Sequence, residues 1–203
     1  MFTASIDKQI KRAILGGLTV VAVGALAFYF LRHPDVMDVG YRPQQPVPFD
    51  HRLHAGDLGI SCVYCHSSVE TSAHSTVPPT STCMNCHNAV KRDSPKLEAV
   101  RASYENNTPI EWVRIHRLPD YAFFNHSRHV NAGIDCASCH GEVEKQGVVV
   151  QKKPLTMGWC LDCHRAPEEH VIRTRDISGV DVRPSVLNSA LKKGPENCSA
   201  CHH

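Results

Sequence analysis

A chain of 203 residues holds one ordinary domain or two small ones, and its formal net charge of +2, with scattered basic residues, excludes a nucleic-acid binder's one-signed surface. Aromatic residues make up only 6%, so the side chains offer little material for a large core. Ten cysteines and fourteen histidines stand out against that background.

The first element is apolar. Ala13 to Leu31 is a run of 19 residues without a charge, which as a helix spans about 28 Å, the thickness of a bilayer core. Lys8, Lys11 and Arg12 precede it, and Phe28, Tyr29 and Phe30 mark its far end. The positive-inside rule then puts residues 1–12 in the cytoplasm and everything after the helix outside. Ala25-Leu26-Ala27 resembles a small-residue cleavage site. The apolar run continues past it, so the segment is expected to stay as a single-pass anchor in membrane lipid, residues 1–33. Gly17, Val21 and Gly24 form a small-residue face suited to another membrane helix.

Residues 34–48 are expected to be an extended, stiff linker, because Tyr41 to Pro48 carries three prolines. The body of the protein, 49–203, opens with Phe49-Asp50-His51-Arg52-Leu53-His54. The pairs Cys62/Cys65 and Cys83/Cys86 follow, each with its histidine directly after, His66 and His87. The same order returns as Phe124-Asn125-His126-Ser127-Arg128-His129, Cys136/Cys139 with His140, and Cys160/Cys163 with His164. The unit F-x-H-x-x-H, C-x-x-C-H, C-x-x-C-H thus occurs twice, over 49–95 and 112–170. A fifth C-x-x-C-H, Cys198/Cys201 with His202, closes the chain at 198–202.

C-x-x-C-H is the attachment signature of c-type haem. The two thiols add to the two vinyl groups of one porphyrin, and the next residue presents its imidazole to the iron. Structural zinc would pair C-x-x-C units to reach four ligands, and five units do not pair. Five covalent haems are expected, with about 31 residues for each, so the haems must form much of the core.

Low-spin haems need a second axial ligand. His51 and His54 in one unit, His126 and His129 in the other, are the expected distal ligands for four irons. The fifth has no built-in partner. His116 is the first candidate and Met157 the second, with His74, His170 and His203 behind them. A methionine ligand would raise that haem's potential; otherwise Met157 is a gap-filling core residue.

Thirteen prolines and twelve glycines keep regular structure sparse. The expected fold is mainly α and coil, a multihaem cytochrome c domain behind one transmembrane helix. A helix is expected over Pro95–Asn106 and a short strand over Gly147–Gln151, where Val148, Val149 and Val150 are β-branched.

The paired F-x-H-x-x-H and C-x-x-C-H arrangement resembles the class III cytochromes c. The stretch from Trp112 to His140, with Pro154-Leu155-Thr156-Met157-Gly158-Trp159 ahead of the fourth motif, is closer to the pentahaem cytochrome subunit of bacterial alternative complex III. That resemblance covers roughly residues 45–203. It implies a quinol-oxidising membrane complex on the extracytoplasmic (periplasmic) face. In it the subunit takes electrons from an iron–sulfur subunit, beside integral membrane subunits, and passes them to a monohaem cytochrome c or terminal oxidase.

All five motifs end in histidine, and no nucleophile constellation or phosphate loop is present, so no catalytic residue is expected. A competing reading is a membrane-anchored multihaem quinol dehydrogenase of nitrate and nitrite respiration, which would oxidise quinol itself. The F-x-H-x-x-H repeats argue against it. A multihaem reductase with an open iron position is a third. Lys152/Lys153 and Lys192/Lys193 read as solvated surface.

Overall fold

The computed structural model describes residues 3–170 and 192–202, together with the backbone of 174–175 and 181–182. Helix α1 (Ala4–Leu31) has none of its residues buried and a mean hydropathy of 2.2 over its apolar window. Its 28 residues reach about 42 Å, enough by length and composition to cross a bilayer. A short α2 (Pro34–Met37) follows, begun by Pro34 at its first position and by His33, whose Nδ1 accepts from Asp35 N.

The rest is short helices joined by coil. A π-helical turn spans Arg52–Asp57, then come α3 (Cys62–Cys65), α4 (Thr80–His87), a 3-10 turn (Pro95–Leu97) and α5 (Glu98–Asn106). These are followed by α6 (His126–Asn131), α7 (Cys136–His140), a 3-10 turn (Val143–Lys145), α8 (Met157–Arg165), α9 (Pro167–His170) and a last 3-10 turn (Cys198–Ala200). Extended pairing among the described residues is a two-residue antiparallel match of β1 (Thr174–Arg175) with β2 (Asp181–Val182). The α-and-coil expectation holds, including the helix over 95–106, which Asn107 ends in the left-handed region at φ 51°.

No strand forms over 147–151. Gln151 is buried and exchanges two hydrogen bonds with the linker, Gly40 N to Gln151 O at 2.8 Å and Gln151 N to Tyr41 O at 3.0 Å. The ladder stops there because prolines at 43, 46 and 48 have no N–H to continue it. The linker is also docked, not a detached spacer. Gln45 exchanges two 2.9 Å bonds with the backbone of Val113, and Val47 enters a small cluster with Met84 and Val100. Burying one such valine contributes about 1.5–3 kcal/mol. Among the described residues the buried apolar side chains are only Val47, Val69, Met84, Val100, Ala137 and Pro167. So the protein part of the core is thin, as the composition requires.

The two repeats interlock. Arg52 N bonds Gln146 O at 3.1 Å, so the first histidine turn sits on the segment after His140. In return His126 N bonds Ala73 O at 3.1 Å and Ser127 N bonds Ser72 O at 3.1 Å, seating α6 on the segment after His66. Each distal-histidine turn is thus built against the other repeat.

Candidate haem-binding site

Each of the first four cysteine pairs lies on a helix, α3, α4, α7 and α8, where residues three apart share a face. The fifth pair flanks the last 3-10 turn. Caps fix where two of these helices begin. Asp135 accepts from Ala137 N ahead of α7, and Thr156 accepts from Trp159 N ahead of α8. No disulfide joins any of the ten cysteines, all of which lie among the described residues.

The histidines share one hydrogen-bond rule. Nδ1 of His66, His87, His164 and His202 faces a backbone carbonyl, that of Thr76, Val90, Pro195 and Tyr121, at 2.7–2.9 Å. Nδ1 of His54, His126 and His129 does the same toward Asp50, Ala73 and Asn125 at 2.8–3.0 Å. A carbonyl only accepts, so Nδ1 carries the hydrogen and Nε2 keeps its lone pair for a metal. His51 is the exception, with a buried Nδ1 that has no hydrogen-bond partner. His140 turns its Nδ1 toward His116 Nε2 at 3.2 Å.

Ring spacing then selects pairs. An iron held between two imidazole nitrogens at about 2 Å each keeps the ring centroids roughly 6 Å apart. His54 and His87 lie 6.2 Å apart, His129 and His164 6.1 Å, and His126 and His140 6.5 Å with nearly parallel rings. Each pair joins an F-x-H-x-x-H histidine to a C-x-x-C-H histidine. Within the second repeat the first histidine matches the first motif and the second matches the second. By the same register His51 falls to His66, and the charge on His66 is among the causes that depress His51.

Burial, first of all, lowers His51, His129 and His140 and so favours their neutral form. Burial, then the neighbouring His66 and His54, pushes His51 down to about 4 against the opposing pull of Asp50. Burial, then His116, His126 and His66, pushes His140 down to about 3. A neutral imidazole is what a metal needs. Burial also lifts the thiols of Cys65, Cys83, Cys139, Cys160 and Cys163, and the neighbours that add to it show which motifs adjoin. Cys65 is raised by burial with Cys62 and Cys86, and Cys139, pushed up to about 11, by burial with Cys163 and Cys160. Cys160 is raised by burial with Cys201 and Cys163.

Among the described residues no group of three or more His, Cys, Asp or Glu side chains could hold a metal ion. A bare ion therefore has no cage, whereas iron inside a macrocycle asks the protein for two axial donors and two thiols. The residues present fit that group.

Other candidates are placed differently. Met157 opens α8 with 60% of its surface exposed. His202 has Tyr121 as its ring neighbour at 5.9 Å, and no described contact brings it to His116 or Met157. His74 and His170 are exposed, and His203 lies outside the described residues.

The motif reading included Phe49 and Phe124 without a role for them, and gave none to Asp50 and Asn125. Phe49 stacks on His54 at 4.4 Å and meets His51 edge-on at 4.7 Å; Phe124 treats His129 and His126 alike, at 4.4 and 4.8 Å. Asp50 and Asn125 cap the two turns by accepting backbone N–H bonds, while their own carbonyls hold His54 and His129. A short polar residue before the first histidine in both copies was the available signal.

Comparison with known proteins agrees with this chemistry. A family model described as outer membrane cytochrome MtrC/MtrF-like, domains II/IV, matches residues 60–203. The chain is also 29% identical over 185 residues to the multiheme cytochrome c subunit of menaquinone reductase from Nitratidesulfovibrio vulgaris, covering 79% of this chain and 87% of that protein.

Proposed function

Because this chain belongs to the multihaem cytochrome family of the MtrC/MtrF-like domains II/IV, we propose that it is the electron-transfer subunit of a quinone-linked respiratory membrane complex, carrying five covalent c-type haems. The observation that carries this reading is the set of three imidazole pairs at 6.1–6.5 Å, each made of one distal and one motif histidine. When bound, haem iron supplies one-electron chemistry between its ferric and ferrous states.

The protein's part is to hold and to tune. Cys62, Cys65, Cys83, Cys86, Cys136, Cys139, Cys160, Cys163, Cys198 and Cys201 form the thioethers. His66, His87, His140, His164 and His202 are proximal ligands; His51, His54, His126 and His129 are distal. For the fifth haem the sequence offers His116 and Met157. The thiol neighbours support contact of the first haem with the second, the third with the fourth and the fourth with the fifth. The influence of His66 on His140 links the first with the third. Helix α1 tethers residues 34–203 to the outer face of the cell membrane, where c-type haem is attached.

Within such a complex we favour quinol oxidation, with electrons arriving from an iron–sulfur subunit and leaving to a monohaem cytochrome c or an oxidase, as in alternative complex III. The menaquinone reductase relative favours a second reading, with the chain delivering electrons toward quinone. Intact-mass measurement of the purified chain should find five haem additions. With the whole complex, menaquinol should reduce the haems; no reduction by quinol, with oxidation of pre-reduced haems by menaquinone, would select the second reading. Rapid quinol reduction of the isolated subunit would instead make it a dehydrogenase in its own right.

A further inference from the structure

Four of the five motif histidines anchor their outer nitrogen to a backbone carbonyl. His140 faces a side chain instead. Its Nδ1 lies 3.2 Å from His116 Nε2, with the rings nearly perpendicular at 89° and their centroids 4.3 Å apart. His116 is half-buried and sits between two fixed points. Arg114 Nε bonds the His116 carbonyl at 3.1 Å, and Gln45 clamps Val113 to the linker.

If His140 gives Nε2 to iron, its Nδ1 must carry the hydrogen, and His116 Nε2 must accept it. A hydrogen bond to the outer nitrogen raises the basicity of a coordinating imidazole and fixes its orientation. Such a bond is one of the levers that set a haem potential. We propose that His116 is a positioning residue for the third haem, holding His140 by a side-chain hydrogen bond and keeping that haem's potential low. With Nε2 engaged in that bond, His116 keeps only Nδ1 for any other partner. The inference rests on reading His140 as the proximal ligand of the third haem.

The test uses the full-length, haem-loaded chain in two variants that fill the same space, His116→Gln and His116→Phe. Gln offers an acceptor oxygen and Phe offers none. Redox titration followed by absorption and paramagnetic resonance should show all haems low-spin in both variants. In the Phe variant one midpoint potential should rise; in the Gln variant it should stay near that of the unmodified chain. Equal midpoints in all three proteins would overturn the proposal. So would conversion of one haem to high-spin in the Phe variant, which would make His116 a ligand. A peptide map of the unmodified chain showing no haem on Cys136 and Cys139 would bring down the underlying reading instead.

Discussion

At the scale of single residues, two devices aim three of the four distal imidazoles, His54, His126 and His129, while His51 has only the second. A hydrogen bond sets the tautomer, and a phenylalanine face sets the plane of the ring. His129 has both, from Asn125 O and from Phe124. Replacing His129 by Ala should therefore leave the thioethers intact and convert one haem from low-spin to high-spin, read by absorption and resonance spectra at unchanged intact mass. Phe124→Leu should broaden the resonance of two haems rather than one, since Phe124 touches both His126 and His129.

At the scale of elements, the motifs themselves were legible in the chain, but that the first four sit on helices was not. A helical turn puts cysteines three apart on one face, and α3, α4, α7 and α8 supply it. The pairing of histidines was only half legible. The count of two distal histidines per repeat is written in the chain, but which iron each one faces depends on how the turns dock. That docking runs between repeats, through Arg52 to Gln146 and through His126 to Ala73, and no periodicity encodes it. The valines at 148–150 misled for the same reason, since a strand needs a partner and the nearby linker is proline-broken. Gly56 is part of this docking: a Cβ there would lie 2.5 Å from Glu144 O. Gly56→Val should force the two segments apart and cost roughly 1–3 kcal/mol, measured as a lower denaturant midpoint with the haem count unchanged.

At the scale of the whole molecule, six buried apolar side chains among the described residues cannot by themselves support a cooperative fold. A chain made without haem attachment should lack a sharp thermal transition and be cleaved quickly by protease, while the haem-loaded chain resists. A chain lacking residues 1–33 but exported by a cleavable leader should load its haems and leave the membrane fraction; retention on membranes would mean that the body itself carries a second attachment. Helix α1, with no residue buried against the body, makes the tether and the redox body separable in this way.

The backbone carbonyls behind the histidines bear on how such a protein can change over time. Every residue brings a carbonyl, whatever its side chain. Substitutions at Thr76, Val90, Asn125 or Tyr121 therefore leave an acceptor where it was, so long as the chain follows the same path. Ligand geometry is inherited through the course of the main chain, which leaves most surface positions open to drift and is compatible with 29% identity to a relative of kindred description. His140 alone among the motif histidines leans on a side chain. There, one codon change can retune a redox centre without touching a ligand.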